Sequence, residues 1–378
     1  MAPRCSNPES GLMTGPSVRN RLLVSRRRLC GAAVFLLFFG AKVTAVAAAF
    51  PNSPSRWPQT VESAVCLNSV SIDSSLEAVQ ALDLIHGWAV GQNGIILTTS
   101  DGGQTWRQQV SGINQNLESV HFVDLIHGWA VGHDGIILTT SDGGQDWRKQ
   151  ESGIGQTLES VRFVDRIHGW SAGQRGSILT TSDSGVNWRK QTSGTSEALE
   201  SVNFVDLLHG WAVGDAGTIL ATSDGGQKWR AEKSSTSRDL KSVDFVDAIH
   251  GWAAGEGGII LTTSDSGRTW RNEISDTRQA LKSVKFVDQM HGWSVGQHGI
   301  VLATSDGGRN WHKEISGTAR ILESVHFVDT EHGWSVGQCD TILETSDGGR
   351  DWGILRGRNG IEESRRSYSG GNAAISNK

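Results

Sequence analysis

Seven aspartate–histidine pairs recur along this chain at a fixed 41-residue interval, each histidine three residues after its aspartate. They are Asp83 with His86, Asp124 with His127, Asp165 with His168, Asp206 with His209, Asp247 with His250, Asp288 with His291 and Asp329 with His332. A carboxylate beside an imidazole can orient a general base or supply two ligands to a metal ion. Every one of these histidines opens a His-Gly-Trp tripeptide. A second carboxylate series keeps the same interval. Asp101, Asp142, Asp183, Asp224, Asp265, Asp306 and Asp347 each stand in a Ser-Asp-x-Gly-x-x-Trp turn. Such an aspartate could hold a cation or a sugar, or it could accept the N–H groups of its own turn.

Repetition decides between these readings. One active centre needs one constellation, whereas seven copies around a ring point seven ways. The expected roles are therefore structural. An Asp–His hydrogen bond ties one strand to the next, and the Ser-Asp-x-Gly turn closes on itself. The tryptophans fill the space between units; 14 of the 15 in the chain sit at the two repeated positions. No catalytic residue, cofactor or metal ligand is expected among them.

A fixed period of this length is the mark of a repeat architecture. Within the second unit, Leu117 to Asp124 alternates apolar and polar residues, the pattern of a half-buried strand. His127 to Gly132 reads as a second short strand and Ile136 to Thr140, rich in β-branched residues, as a third. Trp147 to Gln150 opens a fourth. No segment has a helical period. Four antiparallel strands per unit, seven times over, predict an all-β fold: a seven-bladed β-propeller with a 41-residue repeat. An open stack would need polar terminal units. Trp88 and Trp334 give the first and last units the same apolar positions as the middle ones, so the ring should close. Residues Val65 to Ser75 resemble a degenerate outer strand and are expected to pair onto the seventh blade. Trp352 to Arg356 is the competing candidate.

The flanks read differently. Residues 1–49 form a targeting segment: Arg19, Arg21, Arg26, Arg27 and Arg28 precede an apolar run from Leu29 to Ala41 and small residues up to Ala49. Cleavage after Ala47 or Ala49 fits this layout, by either the general or the twin-arginine export route. The alternative is an uncleaved anchor, although the run is short for a transmembrane helix. Export to a periplasm or thylakoid lumen follows, with membrane contact only through this segment or a client. Residues 50–64 read as a linker, 65–358 as the propeller and 359–378 as a disordered tail. Cys66 and Cys339 flank the array, but their offset along neighbouring strands argues against a bridge. A net charge of −5 gives no electrostatic footprint for nucleic acid.

Repeats of the form Leu-x-Ser-Val-x-Phe-Val-Asp-x-x-His-Gly-Trp-Ala-Val-Gly, followed by Thr-Ser-Asp-Gly-Gly-x-x-Trp, resemble those of the photosystem II assembly and stability factor family. The resemblance covers Leu76 to Trp352. It implies a lumenal propeller, non-enzymatic and monomeric, that chaperones a newly made reaction-centre subunit or another membrane-complex subunit. Two alternatives stand beside it: an exported bacterial propeller with another protein client, and a glycan-binding or glycosidase-like protein. Sialidase-type chemistry needs a tyrosine nucleophile, and the single tyrosine, Tyr368, lies in the tail.

Individuality lies where the units differ. The x of Ser-Val-x-Phe is Gln80, His121, Arg162, Asn203, Asp244, Lys285 and His326 in turn. The third unit collects Arg162, Arg166 and Arg175. These three are expected to form a positive edge that docks an acidic partner segment.

Overall fold

The alternation read in each unit becomes one sheet. In the second unit the strands are Leu117–Phe122, Gly128–Gly132, Ile137–Thr140 and Arg148–Gln150, antiparallel in that order. Burial falls from the wholly buried second strand to the mostly exposed fourth. The computed structural model describes residues 75–356, which form seven such four-stranded sheets. The first strands of successive blades pack side by side around a central axis, and that of the first blade packs against that of the seventh. The seven-bladed propeller expected from the repeat is the fold observed.

The glycine of His-Gly-Trp is set by close packing. A Cβ on Gly128 would strike the Phe122 ring of its own blade, and Gly169, Gly210, Gly251, Gly292 and Gly333 face their own phenylalanines in the same way. The following tryptophan crosses to the next blade. Trp88 stacks on Phe122, Trp129 on Phe163, and so on through six seams, with centroids 3.5–3.7 Å apart and planes within 4–13°. Each of these indoles donates its Nε1–H to a carbonyl in the Ser-Asp-x-Gly turn of that next blade, Trp129 to Ser184 at 3.0 Å. A serine adds a main-chain tie: Ser119 Oγ accepts the Val161 N–H at 3.2 Å.

The ring closes by the same contacts with smaller parts. Ser324 Oγ accepts the Val79 N–H at 3.3 Å, and Trp334 donates to Gly102 O at 3.4 Å. Here Ala81 stands where six blades carry phenylalanine, so Trp334 packs in a cluster with Leu76, Val79, Ala81 and Leu97 instead of on a ring. At the seventh blade the competing candidate supplies the fourth strand, the place expected for residues 65–75. That strand is the chain's own continuation, Gly353–Arg356, paired through Leu343 with Ile354 and Glu344 with Gly353. Trp352, edge-on to Phe327 at 5.8 Å, delivers the chain straight into that place. A local continuation closes a far shorter loop than a strand recruited from the other end of the array. Residues 65–74, the targeting segment, the linker, Cys66 and the tail lie outside the described residues.

Candidate binding face and central channel

The strand ends divide the ring into two faces. One carries the Asp-x-x-His turns and, hydrogen-bonded beside them, the Ser-Asp-x-Gly turns, as in Gly102 N–H to Ile85 O at 3.1 Å. The other carries the turns between second and third strands.

On the first face each aspartate is bound into its own turn. Asp83 Oδ1 accepts the N–H groups of Ile85 and His86 at 2.8 and 2.7 Å, and His86 Nδ1 lies 2.9 Å from Asp83 Oδ2. The other six pairs repeat this geometry. Partial burial opposes ionisation, yet the His side chain and the turn N–H groups hold all seven carboxyls below their usual range, Asp247 at about 2. Asp142 likewise accepts Asp146 N–H at 3.0 Å and the Thr140 hydroxyl at 2.8 Å, while Thr140 Oγ1 accepts Gly144 N–H at 2.9 Å. Sequence reading missed this threonine, which repeats as Thr99, Thr181, Thr222, Thr263, Thr304 and Thr345 with the same bond to the aspartate. Among the described residues, no three His, Cys, Asp or Glu side chains are grouped so as to hold a metal ion.

The two residues between each Asp and His were also overlooked. Leu84, Ile85, Leu125, Ile126, Ile167, Leu207, Leu208, Ile249 and Met290 stand at the turn tips, each 45–52% exposed. Neighbouring turns touch: Arg166 Nε donates to Asp124 Oδ2 at 2.7 Å and Gln289 Nε2 to Asp247 Oδ2 at 2.9 Å. The tips of six blades thus each present at least one half-exposed apolar side chain, an apolar crown with Arg166 and Gln289 set among it. The seventh blade has Thr330 and Glu331 there and folds identically, so the turn itself does not require apolar residues. The sequence signal was an apolar pair in a turn, where polar residues are the rule.

The channel behind the crown has two rings. At the far mouth stand Glu77, Glu118, Glu159, Glu200, Lys241, Lys282 and Glu323, second residues of the first strands. Lys241 bonds Glu200 at 2.9 Å, and Glu118 reaches His133 at 3.0 Å. Burial, reinforced by Glu77, Glu159, Glu323 and Glu200, pushes the Glu118 carboxyl up to about 8. Burial and Glu200 push Glu159 to about 7. The variable residues Gln80, His121, Arg162, Asn203, Asp244, Lys285 and His326 form the waist. Most reach the next blade, as Gln80 Nε2 donates to Phe122 O at 2.9 Å and Asn203 Nδ2 to Asp244 Oδ1 at 3.3 Å, whereas Lys285 reaches back to Asp244 Oδ2 of the preceding blade at 3.1 Å.

The three arginines of the third blade do not share an edge. Arg162 is in the waist, Arg166 is on the crown, and Arg175 is in a turn of the opposite face with φ 55°. The antiparallel pairing Gly169 with Phe163 and Gly173 with Leu158 places the residues following each strand at opposite ends.

A closed ring of equivalent blades, with carboxylates bound into their own turns, defines a scaffold-type β-propeller. The profile of the Photosynthesis system II assembly factor YCF48 family matches residues 58–152, 192–279 and 272–352, and the chain belongs to that family. Among solved structures it resembles YCF48 bound to D1 peptide, with 23% identity and a TM-score of 0.61 over 72% of this chain and 92% of that one. It resembles YCF48 from Cyanidioschyzon merolae at 22% identity, with a TM-score of 0.62 over 73% and 97% of the two chains. The GH74 xyloglucanase of Xanthomonas campestris shares the fold at 10% identity, with a TM-score of 0.63 over 77% of this chain and 55% of the enzyme. No curated protein sequence matches the chain.

Proposed function

We propose that this chain is an exported assembly factor for a photosystem II-type membrane complex, and that it holds an apolar segment of its client on the crown. The observation that carries the reading is the row of half-exposed Leu, Ile and Met side chains on six of the seven blades, at positions the fold leaves free to be polar. Exposed apolar side chains gathered on one face mark a contact site. Family membership and the relative bound to a D1 peptide support a D1-type polypeptide as the client. The arginine-led apolar segment before residue 50 supports a lumenal or periplasmic location. Arg166, on the crown, would contribute its guanidinium to the same contact.

The test is binding of a D1-derived peptide to the parent and to a Leu125→Asp/Ile126→Asp variant, followed by calorimetry. Two half-exposed side chains that become buried contribute about 1–2 kcal/mol each, so the variant should bind at least about tenfold more weakly. Glu331→Gln, on the polar seventh blade, should bind like the parent. Equal binding by parent and crown variant removes the crown from the proposal. A parent that ignores the peptide removes the D1-type client.

A further inference from the structure

The waist of the channel holds a cation that no carboxylate touches, although Asp244 acts on it at a distance. Arg162 donates from Nε to Phe204 O at 3.3 Å, and its Nη1 lies 3.1 Å from His121 Nε2. Both partners are uncharged acceptors. The one carboxylate of the ring, Asp244, is already engaged by Lys285 at 3.1 Å, by Asn203 at 3.3 Å and by the Phe286 N–H at 2.8 Å. A guanidinium partly withdrawn from water with no anion in contact is costly.

The imidazole sharpens the point. A guanidinium only donates, so His121 Nε2 must accept, and a neutral His121 then carries its proton on Nδ1. His121 is only 8% exposed, and its Nδ1 has no hydrogen-bond partner. Burial first, then Arg162, His326 and Lys285, depress its proton affinity, so these four basic groups lie within electrostatic reach of one another. His326 is pushed down to about 3 by burial, Lys285 and Arg162. Arg162, Lys285 and His326 keep partial exposure, which leaves them reachable along the channel.

We infer that the waist of the channel is a binding site for a small monovalent anion, a halide or a small carboxylate, seated against Arg162. The anion completes the guanidinium's charge.

Arg162→Gln is the discriminating variant. Gln80 occupies the same register in the first blade and bonds the next blade's main chain, so the substitution copies a solution the ring already uses. Titration of chloride into the parent, followed by the line width of the chloride nucleus, should show saturable broadening that Arg162→Gln abolishes. Displacement of chloride by acetate extends the site to carboxylates, and failure to displace it confines the site to halides. Crystals of the parent soaked in bromide should show anomalous density beside Arg162, a readout that needs no variant. Broadening of equal size in Arg162→Gln, or bromide found elsewhere as an adventitious ion only, overturns the inference.

Discussion

Removing the Trp129 indole tests the seam between the second and third blades. Trp129 is 1% exposed, stacks on Phe163 at 3.6 Å and donates to Ser184 O at 3.0 Å. Truncating a buried tryptophan costs about 3–5 kcal/mol through lost transfer energy and the cavity left behind. The stacked geometry adds about 0.5–1.5 kcal/mol beyond area, and the orphaned carbonyl about 1 kcal/mol more. These contributions overlap, so Trp129→Ala should lose about 4–6 kcal/mol. At roughly 2 °C per kcal/mol for a domain of this size, Tm should fall by about 8–12 °C. Calorimetry and urea denaturation measure the loss. Trp129→Phe should recover most of it, because it keeps a ring on Phe163 and gives up only the N–H. Trp334→Ala should cost less than Trp129→Ala, because Trp334 has Ala81 where the other seams present a ring. A Trp129→Ala protein that melts within about 2 °C of the parent would refute the packing argument.

Gly128→Ala should destabilise by about 1–3 kcal/mol through overpacking against Phe122, whereas Gly87→Ala, which faces Ala81 and meets its nearest atom at 3.3 Å, should cost less; equal melting temperatures would count against the close-approach account of His-Gly-Trp. Stability should also carry opposed pH-dependent contributions, with the depressed His121 and His326 adding one that rises as pH climbs towards 6.5. The Glu118 and Glu159 carboxyls are raised to about 8 and about 7, so the folded state holds protons that the unfolded chain has already released, and their contribution falls as pH rises from about 4.5 to 8. The seven turn aspartates are depressed, so their contribution is present above about pH 4 and is lost as pH falls below it. Glu118→Gln should flatten the alkaline limb of a Tm-versus-pH curve, and an unchanged limb would place its origin elsewhere.

The ring was legible in the sequence because each blade repeats one solution. Strand alternation, the Asp-x-x-His turn and the paired tryptophans each appear seven times, and the registers of the blades follow them. The crown was not legible, because Leu125 and Ile126 share a column with residues of the same apolar type as the core. Only the turn geometry, which lifts them clear of the sheet, makes them surface. The waist residues were picked out as variable, but their meeting around one axis depends on blades whose first strands lie 41 residues apart in the chain. The arginine edge failed for the converse reason: Arg166 and Arg175 are near in sequence, and a hairpin carries them to opposite ends. Sequence left two candidates for the last outer strand, because repeat alignment ranks likeness of residues and is blind to which candidate has the shorter path.

The lone alanine at the seam between last and first blades also sets how the molecule comes apart. In a linear stack, a terminal unit frays after losing one neighbour; in a ring, no unit is free until two junctions have parted. Six junctions here carry a stacked Trp–Phe pair, and the seventh carries Trp334 over Ala81 with the longest of the indole bonds at 3.4 Å. Rupture therefore starts at that junction, between the first and last described strands, and converts the ring into a linear array whose first and seventh blades then peel inward. The remaining blades stay locked until the fraying reaches them.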